Sequence, residues 1–432
     1  MNPKRIGRLA VLGLAVALAV PAVASANEVT KWNEIAVNTV NAQPGITSAP
    51  PAASIFVAMV QGAVYGAVNS VDRHGRPYLV MRTFPKASAE AAAATAAFRV
   101  LDTLFPAQHA TLQAAYDASL AAIPNGARED EGIEVGRLAA DAMLAEGHDA
   151  RVPISCAFGS FVPGVWQPLA GATGAPACDP SPWVKDAVPF LAESSSQFRS
   201  AGPLALTSAA YAAEFNEVKA IGSLNSSTRT AAQSHAAAFW QTNPAANFNA
   251  IARRFAEQLS LDLSDSARLF AMLDLTAADT LIATWNEKYH WNFWRPRAAI
   301  RQADTDGNPA TEADPNWEPM FHPTLDPAIG GVGPALGTPP YPDHPSGATS
   351  YACASMEALA FFFGTDEMPF YATSGRFPGE QRAFTRFSDL ANEVLEARIW
   401  SGIHFRTPDV ASADLGRDIS RYIHTHWFAA NH

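Results

Sequence analysis

The stretch from residue 265 to residue 296, DSARLFAMLDLTAADTLIATWNEKYHWNFWRP, decides the fold class of this chain. Apolar residues recur in it at spacings of three and four, which predicts a long helix over Asp265–Tyr289. Lys288 and Arg295 lie seven residues apart, or two helical turns, so we expect both on one helix face before Pro296 ends or kinks the helix. Two cations among aromatic residues indicate that an anion binds between them. The alternative is a pair at the surface whose aliphatic chains lie on apolar residues while the charged groups reach water.

The same apolar spacing recurs along the chain, and no strand pattern of any length is visible. The sequence therefore predicts an all-α protein. Apart from the helix described above, the predicted helices are Ser54–Val71, Ser88–Phe105, Gln108–Ile123, Arg128–Gly147, Thr207–Ile221, Ser226–Trp240, Asn247–Leu261, Ala348–Phe363, Glu380–Ile403 and Ala411–Phe428.

Composition changes divide the chain into three parts after a leader. We expect a first helical bundle over residues 27–150, a Pro/Gly-rich excursion over 151–205 and a second helical part over 206–432. A stretch as long as the excursion without periodicity is unusual, so we expect it to contain short helices or to cover a site.

The first 26 residues resemble a signal peptide. Cations at positions 4, 5 and 8 precede an apolar run over 9–20 and a small-residue site at Ala24–Ala26. The run is short for a membrane anchor, which is the alternative interpretation. We therefore expect cleavage of residues 1–26, export to the periplasm or medium, and no membrane span in the remaining chain.

Charge and cysteine content limit the possible partners. The formal charge of −11 would become −14 without the leader, which argues against nucleic acid or an anionic membrane as a partner but leaves a small anion open. Three cysteines are present, and export permits a Cys156–Cys178 disulfide within the excursion, with Cys353 buried and free. Three free thiols are the alternative.

Two further segments offer groups that bind anions. Pro-Ser-Gly at 345–347 immediately precedes a predicted helix. The free N–H groups of the helix N-terminus and the Ser hydroxyl can bind an oxyanion there. The alternative is an ordinary helix cap formed by Ser. Arg398 is followed by small residues and then by His404, and an anion between these two side chains requires a bend near Gly402. Taken alone, His404 is more typical of a buried core histidine than of a ligand. Together, the three segments predict a site for phosphate or vanadate, because guanidinium forks match a tetrahedral oxyanion.

Lys-x6-Arg-Pro, Pro-Ser-Gly and Arg-x5-His, in this order, resemble the three-part signature of the vanadium haloperoxidase and type 2 phosphatidic acid phosphatase superfamily. The stretches 58–69, 163–168, 217–223 and 402–407 resemble its soluble bacterial haloperoxidase branch, so the likeness covers nearly the whole chain after the leader. The resemblance implies an all-α fold of two four-helix bundles and, by analogy, a possible homodimer. It also implies vanadate as the cofactor, with phosphate able to occupy the same site.

The resemblance further implies roles for individual residues. His404 would bond to the vanadium, or attack phosphorus in a phosphatase. Peroxide, halide and an organic acceptor would be the substrates of the haloperoxidase, and Lys288 would polarise the peroxide. The residues implied to hold the oxygens of the anion are Lys288, Arg295, Ser346, Gly347 and Arg398.

The sequence departs from the family pattern at two places. The family usually has a histidine after Pro-Ser-Gly as acid/base, but position 348 is Ala, and His344 is the nearest candidate in sequence. The family often has Asp four residues beyond the final histidine, but Pro408 stands there and Asp409 follows. We therefore expect His404 to lack an orienting carboxylate unless the loop shifts by one residue. An acid phosphatase with a His404 nucleophile and a non-catalytic oxyanion-binding protein remain as alternatives to a weakened haloperoxidase.

Overall fold

Fourteen α-helices and one β-hairpin form the described part of the chain in a computed structural model, which describes residues 27–43, 50–152, 161–168, 178–333 and 337–429. Helix accounts for 60% of the described residues, in agreement with the predicted all-α class. The elements are α1 (Glu28–Asn41), α2 (Pro50–Asp72), α3 (Ala89–Leu104), α4 (His109–Ala121), α5 (Ala127–Ala145), α6 (Ala209–Ile221), α7 (Ala231–Phe239), α8 (Pro244–Gln258), α9 (Leu263–Trp291), α10 (Pro296–Arg301), α11 (Pro327–Gly330), α12 (Gly347–Phe363), β1 (Glu367–Ser374), β2 (Phe377–Arg386), α13 (Phe387–Trp400) and α14 (Arg406–Ile423).

Every predicted helix has a counterpart, but one prediction is wrong over its first seven residues. Residues 380–386 belong to β2, which pairs antiparallel with β1, and α13 begins only at Phe387. Phe370 and Phe384 are register partners whose rings stack 5.6 Å apart. Such cross-strand aromatic pairs stabilise a hairpin, and the burial of β2 alternates with the period of two that the helical interpretation overlooked.

Helix α1 was not predicted, and α14 begins five residues earlier than predicted. Asn27 caps α1 by accepting a hydrogen bond from the backbone N–H of Thr30, and Trp32 is fully buried. Helix α14 accommodates Pro408 because this proline lies in the first turn, where a backbone N–H has no intrahelical acceptor. A short π-helix over His424–Phe428 continues α14.

The long helix α9 lies at the centre of the molecule, with α2, α12 and α14 packed along it. Helix α2 is long and apolar enough to cross a membrane by length and composition, with a mean hydropathy of 1.5 over its most apolar window, a property that was not recognised from the sequence. That window is buried inside the protein. A helix that is apolar all round is typical of a protein core as well as of a membrane span.

The excursion is fastened to α9 and contains a short 3-10 helix over Pro182–Asp186. Both carboxylate oxygens of Asp279 in α9 accept hydrogen bonds, at 2.6–2.8 Å, from the backbone N–H groups of Phe190, Leu191 and Ala192. Burial raises the pKa of Asp279 to about 6. The excursion is therefore held against the middle of α9, and further along it Ser200 donates to Glu287, the neighbour of Lys288.

The cysteines agree with the prediction where they are described. Cys353 is free and buried in α12, and Cys178 is disulfide-bonded. Its predicted partner Cys156 lies outside the described residues, as does the predicted signal peptide over residues 1–26.

A chain of buried polar side chains crosses the core beside α9. Asp274 Oδ1 accepts a hydrogen bond of 2.7 Å from Asn249, and Asn249 Oδ1 accepts one of 2.6 Å from Asn33. Asp274 Oδ2 has no partner among the described residues. Burial raises the pKa of Asp274 to about 7. The native state therefore binds this proton more tightly than the unfolded chain does.

We expect Asp274→Asn to stabilise the protein by a margin that grows as the pH rises. Below about pH 4 the carboxyl is protonated in both the native and the unfolded state. Between pH 4 and about 7 the unfolded chain releases this proton while the native state keeps it, so the free energy of unfolding of the wild type falls as the pH rises. The margin should reach a few kcal/mol by pH 8, since each pKa unit corresponds to about 1.4 kcal/mol. Denaturant melts at pH 5, 6.5 and 8 measure it. The exposed Asp130→Asn, in α5, controls for loss of one charge, and a margin for Asp274→Asn that is constant with pH would contradict the expectation.

Candidate anion site

Lys288 and Arg295 do not share a helix face, contrary to the sequence-based expectation. Helix α9 ends at Trp291 because Asn292 adopts a left-handed conformation with φ 47°. Arg295 has extended backbone and precedes α10. The helix ends four residues before Arg295, so the two-turn argument does not apply.

Both cations nevertheless reach the same segment, residues 341–345, which leads into α12. Lys288 Nζ donates hydrogen bonds to the carbonyl oxygens of Pro342, at 2.8 Å, and Asp343, at 3.1 Å, and it also contacts the carbonyl of Pro345. Arg295 Nε donates to the carbonyl of Tyr341 at 2.9 Å. The Tyr341 ring lies under both charges, 5.2 Å from Lys288 Nζ and 5.1 Å from Arg295 Cζ.

Helix α12 begins at Gly347, the last residue of the Pro-Ser-Gly sequence and one residue before the predicted start. Ser346 is its N-cap residue and is fully buried, and its hydroxyl contacts Thr349 Oγ1 at 3.2 Å. Thr349 Oγ1 in turn donates to Asp409 Oδ1 at 2.6 Å. The first turns of α12 and α14 are therefore tied together, and the Ser346 hydroxyl belongs to this contact.

The bend predicted near Gly402 exists. Helix α13 ends at Trp400, and Gly402 has φ 74° in the left-handed region. A Cβ atom at this position would collide with the backbone carbonyl of Gly222. The bend lets Arg398 and His404, both buried, face the same cavity.

The cavity between these segments has a volume of about 90 Å³, room for several water molecules or one small anion. Its polar lining includes Gly347 and Ala348 at the N-terminus of α12, together with Gln241, Arg398 and His404. The first amides of a helix have no intrahelical acceptor and favour an anion. Its walls include the aromatic residues Trp240, Phe248, Trp285 and Tyr341.

Two guanidinium nitrogens are buried without a hydrogen-bond partner in the described chain: Arg398 Nε, on a residue that lines the cavity, and Arg295 Nη2, on a residue that is not in the lining but contacts His404, which is. Arg398 Nη1 donates to Gln241 Oε1 at 3.2 Å. Buried donors of a charged group are costly when they are left unpaired. The unpaired donors, the helix N-terminus and the cavity size all fit a tetrahedral oxyanion such as vanadate or phosphate.

Burial also shifts the pKa values of the charged groups around the cavity. It lowers the pKa of Lys288 well below its usual value and that of Arg398 to about 10. It raises the pKa of Asp343 to about 8 and that of Asp409 to about 7. Low polarity disfavours each charged form, and a bound anion would favour the cationic forms of Lys288 and Arg398.

His404 is held from both sides of its ring. Its Nε2 lies 3.0 Å from Arg295 Nη1, and its Nδ1 lies 2.5 Å from Asp343 Oδ1, a short contact that is not aligned as a regular hydrogen bond. The expectation that His404 lacks a neighbouring carboxylate is therefore wrong, because Asp343 approaches it from another segment. Asp409 instead bonds Thr349. Burial, followed by the charge of Arg295, lowers the pKa of His404 well below its usual value.

His344 is buried beside the site, but it is not among the residues that line the cavity. Its Nε2 lies 2.9 Å from Ser200 Oγ, and Ser200 also contacts Glu287 at the end of α9. Burial, and then the charge of Lys288, lowers its pKa to about 3. Position 348 does line the cavity. The family that the sequence resembles usually has its acid/base there, whereas this chain has only the methyl group of Ala348.

The sequence analysis missed two side chains of this site. Asp343 precedes His344 directly, and the acidic residue next to the Pro-Ser-Gly motif was a usable signal. Gln241 lies in the connection between α7 and α8, more than 150 residues from Arg398 along the chain. No local pattern connects these two residues, so only the tertiary structure places them together.

Comparison with known proteins agrees with this geometry. Residues 268–430, which include every predicted site residue, match the VCPO second helical-bundle domain. Vanadium chloroperoxidase from Curvularia inaequalis is 29% identical over 156 residues, 32% of this chain. That match spans 24% of the length of the fungal enzyme.

Solved structures extend the likeness in fold to nearly the whole chain. The structure described as the first bacterial vanadium-dependent iodoperoxidase matches with a TM-score of 0.71 and 22% identity, covering 92% of this chain and 97% of that one. A holo-type bacterial vanadium-dependent chloroperoxidase matches with a TM-score of 0.67 and 16% identity, covering 94% and 98%. At these identities the structural matches establish the fold. The chain therefore shares the fold of the vanadium haloperoxidases over nearly its whole length, and its residues 268–430 match their second helical-bundle domain in sequence.

Proposed function

We propose that this protein binds vanadate and oxidises halide with hydrogen peroxide, at a rate reduced by the alanine at position 348. The observation that carries the proposal is the pair of buried arginines, Arg295 and Arg398, with unpartnered nitrogens next to His404 and the N-terminus of α12. The relatives are described as vanadium-dependent iodo- and chloroperoxidases, which supports vanadate as the anion.

The donor set assigns a place to each part of the anion. Arg295 and Arg398 would hold oxygens through their forks, and the amide of Gly347 would hold another. His404 Nε2 would bond the central atom. When bound, vanadate supplies Lewis-acid activation of hydrogen peroxide toward a halide ion.

The residues of the chain provide electrostatics and positioning around that chemistry. The three N–H donors of Lys288 reach the carbonyls of residues 342, 343 and 345, so Lys288 acts on an anion through its charge and by holding this turn. The aromatic walls lower the polarity around the cavity, which strengthens every charge interaction inside it. The proposed role of Lys288 is therefore less direct than the one the family resemblance implies.

Ala348 limits the proton transfer that this site can perform. A positioned acid/base contributes about 10²–10⁴-fold to a rate, and the methyl group at position 348 has no proton to exchange. The same donors would hold phosphate, and a phosphatase reaction would lack its proton donor in the same way. Ala348 is thus the specific observation in favour of a second candidate, an oxyanion-binding protein with little or no turnover.

The location and partners are part of the proposal. The leader sequence over residues 1–26 supports an exported protein, and the net charge of −11 supports small-molecule substrates in preference to nucleic acid. A homodimer is proposed by analogy with the family alone. Size-exclusion chromatography with light scattering measures the oligomeric state.

We expect vanadate, and to a lesser degree phosphate, to raise the melting temperature. Binding at 100 times Kd contributes about 2.7 kcal/mol, which for roughly 400 residues corresponds to about 3 °C. Arg398→Ala should abolish the shift, because it removes a buried guanidinium that faces the cavity. Differential scanning fluorimetry with graded vanadate measures it.

The matched control is Arg421→Ala, which removes the same charge from an exposed position on α14 and should keep the full shift. A wild-type melting temperature that does not change in millimolar vanadate would refute the anion site. An equal loss of the shift in both variants would mean that net charge, and not the cavity, governs binding.

We expect Ala348→His to raise peroxide-dependent bromination at least tenfold without tightening vanadate binding. The new imidazole would lie at the cavity, where it can exchange protons with a bound oxygen. His344→Gln should change turnover less than threefold, because His344 contacts Ser200 and does not line the cavity.

The initial rates of bromination and of phosphomonoester hydrolysis, measured together with the vanadate affinity of each variant, separate a haloperoxidase from a phosphatase and from a non-catalytic protein. Strong loss of bromination in a folded His344→Gln protein would identify His344 as the acid/base and contradict the role assigned to position 348. Absence of turnover in the wild type and in Ala348→His, despite vanadate binding, would favour the non-catalytic candidate.

A further inference from the structure

We propose that Asp343 fixes the tautomer and orientation of His404, replacing the carboxylate that the family often has four residues beyond this histidine. This inference rests on the proposed function for its consequence, vanadate binding. Its structural content concerns residues of this chain alone. Asp343 is a positioning residue here, because it would act on the anion through His404.

Asp343 is the point where the three motif segments meet. Its side chain is fully buried, with Oδ1 2.5 Å from His404 Nδ1 and 3.5 Å from Arg295 Nη1. The backbone N–H of Phe405 approaches Oδ2 at 3.4 Å, and the backbone N–H of Asp343 donates to the carbonyl of Phe293 at 2.9 Å. One residue thus joins the segment after α9, the segment before α12 and the connection from α13 to α14.

The surroundings of the His404 ring select one tautomer. A guanidinium has only donors, so His404 Nε2 must accept the hydrogen bond from Arg295 Nη1. In the neutral ring the proton is then on Nδ1, which faces the carboxylate of Asp343. The opposite tautomer would set an Nε2 proton against Arg295 and an Nδ1 lone pair against a carboxylate oxygen. The selected tautomer keeps Nε2 unprotonated, so its lone pair can bond the centre of an anion that takes over the hydrogen bond from Arg295 Nη1.

Asp343 can hold this position because its own backbone is fixed. Lys288 Nζ binds the carbonyls on both sides of the residue and that of Asp343 itself. The family position is unavailable, since residue 408 is a proline in the first turn of α14. Among the described residues, Asp343 is the carboxylate that pairs with His404.

The test is Asp343→Asn, which keeps the shape of the side chain. The amide N–H can donate to Nδ1, and the Nε2–H tautomer that this stabilises would lose the hydrogen bond from Arg295 Nη1 and block the atom that must bond the anion. A change of this kind in a histidine–aspartate pair leaves geometry intact and disables the ring by choosing the wrong tautomer. We expect vanadate affinity to fall about 10–100-fold, as is typical when the partner of a ligating histidine is removed.

Two readouts on the full chain are needed. Long-range ¹H–¹⁵N NMR on protein with ¹⁵N-labelled histidine reports the tautomer, with the His404 signals assigned from their loss in His404→Gln. The wild type should show His404 as the Nδ1–H form, and Asp343→Asn should lose it. Calorimetric titration with vanadate gives the affinities. Asp274→Asn, an equally buried substitution in the core, should leave both readouts unchanged.

The outcomes separate the two proposals. An Nε2–H tautomer in the wild type overturns the inference without any variant. A folded Asp343→Asn protein with unchanged His404 signals also overturns it. If the wild type binds vanadate, an unchanged vanadate affinity of Asp343→Asn does the same. A wild type that binds no vanadate overturns the proposed function, and the tautomer readout then decides the role of Asp343 alone.

Discussion

The site depends on keeping Lys288, Arg295 and Arg398 together inside the protein, away from water. Burial lowers the pKa of all three and raises that of the nearby carboxyls, so each charged form is maintained only by its partners. The ammonium group of Lys288 donates its hydrogen bonds to backbone carbonyls. Arg398 donates to Gln241 and lines the cavity. The remaining unpartnered nitrogens are a local cost in stability that a tetrahedral anion would offset.

The fold meets this constraint by taking the charges from different elements. Lys288 comes from the end of the buried helix α9, Arg398 from α13, and His404 from the connection to α14. The segment before α12 receives hydrogen bonds from two of the cations and provides Asp343 to His404. A displacement of any of these elements would therefore affect anion binding, since no single helix forms the site.

The proposed anion binding and the proposed proton transfer depend on different side chains. The groups that would hold the anion are present and buried, whereas position 348 carries a methyl group and His344 bonds Ser200. A site of this kind can keep high affinity for an oxyanion while its turnover is low, because charge complementarity and acid/base catalysis are contributed by different side chains. Likeness in fold to the vanadium haloperoxidases therefore bears on the architecture of the site more directly than on its rate.

The sequence by itself determined the helical class, the position of most helices and the identity of the three cationic segments, because apolar spacing and short motifs are local properties of the chain. It failed for the β1–β2 hairpin, where a period of two was overlooked, and for the face shared by Lys288 and Arg295, where one left-handed residue, Asn292, ends the helix. Only the tertiary structure decided that Asp343 meets His404, that Gln241 meets Arg398, and that His344 does not line the cavity. These contacts join residues far apart in the chain or depend on the direction of a buried side chain, and such packing leaves no periodic signal in the sequence.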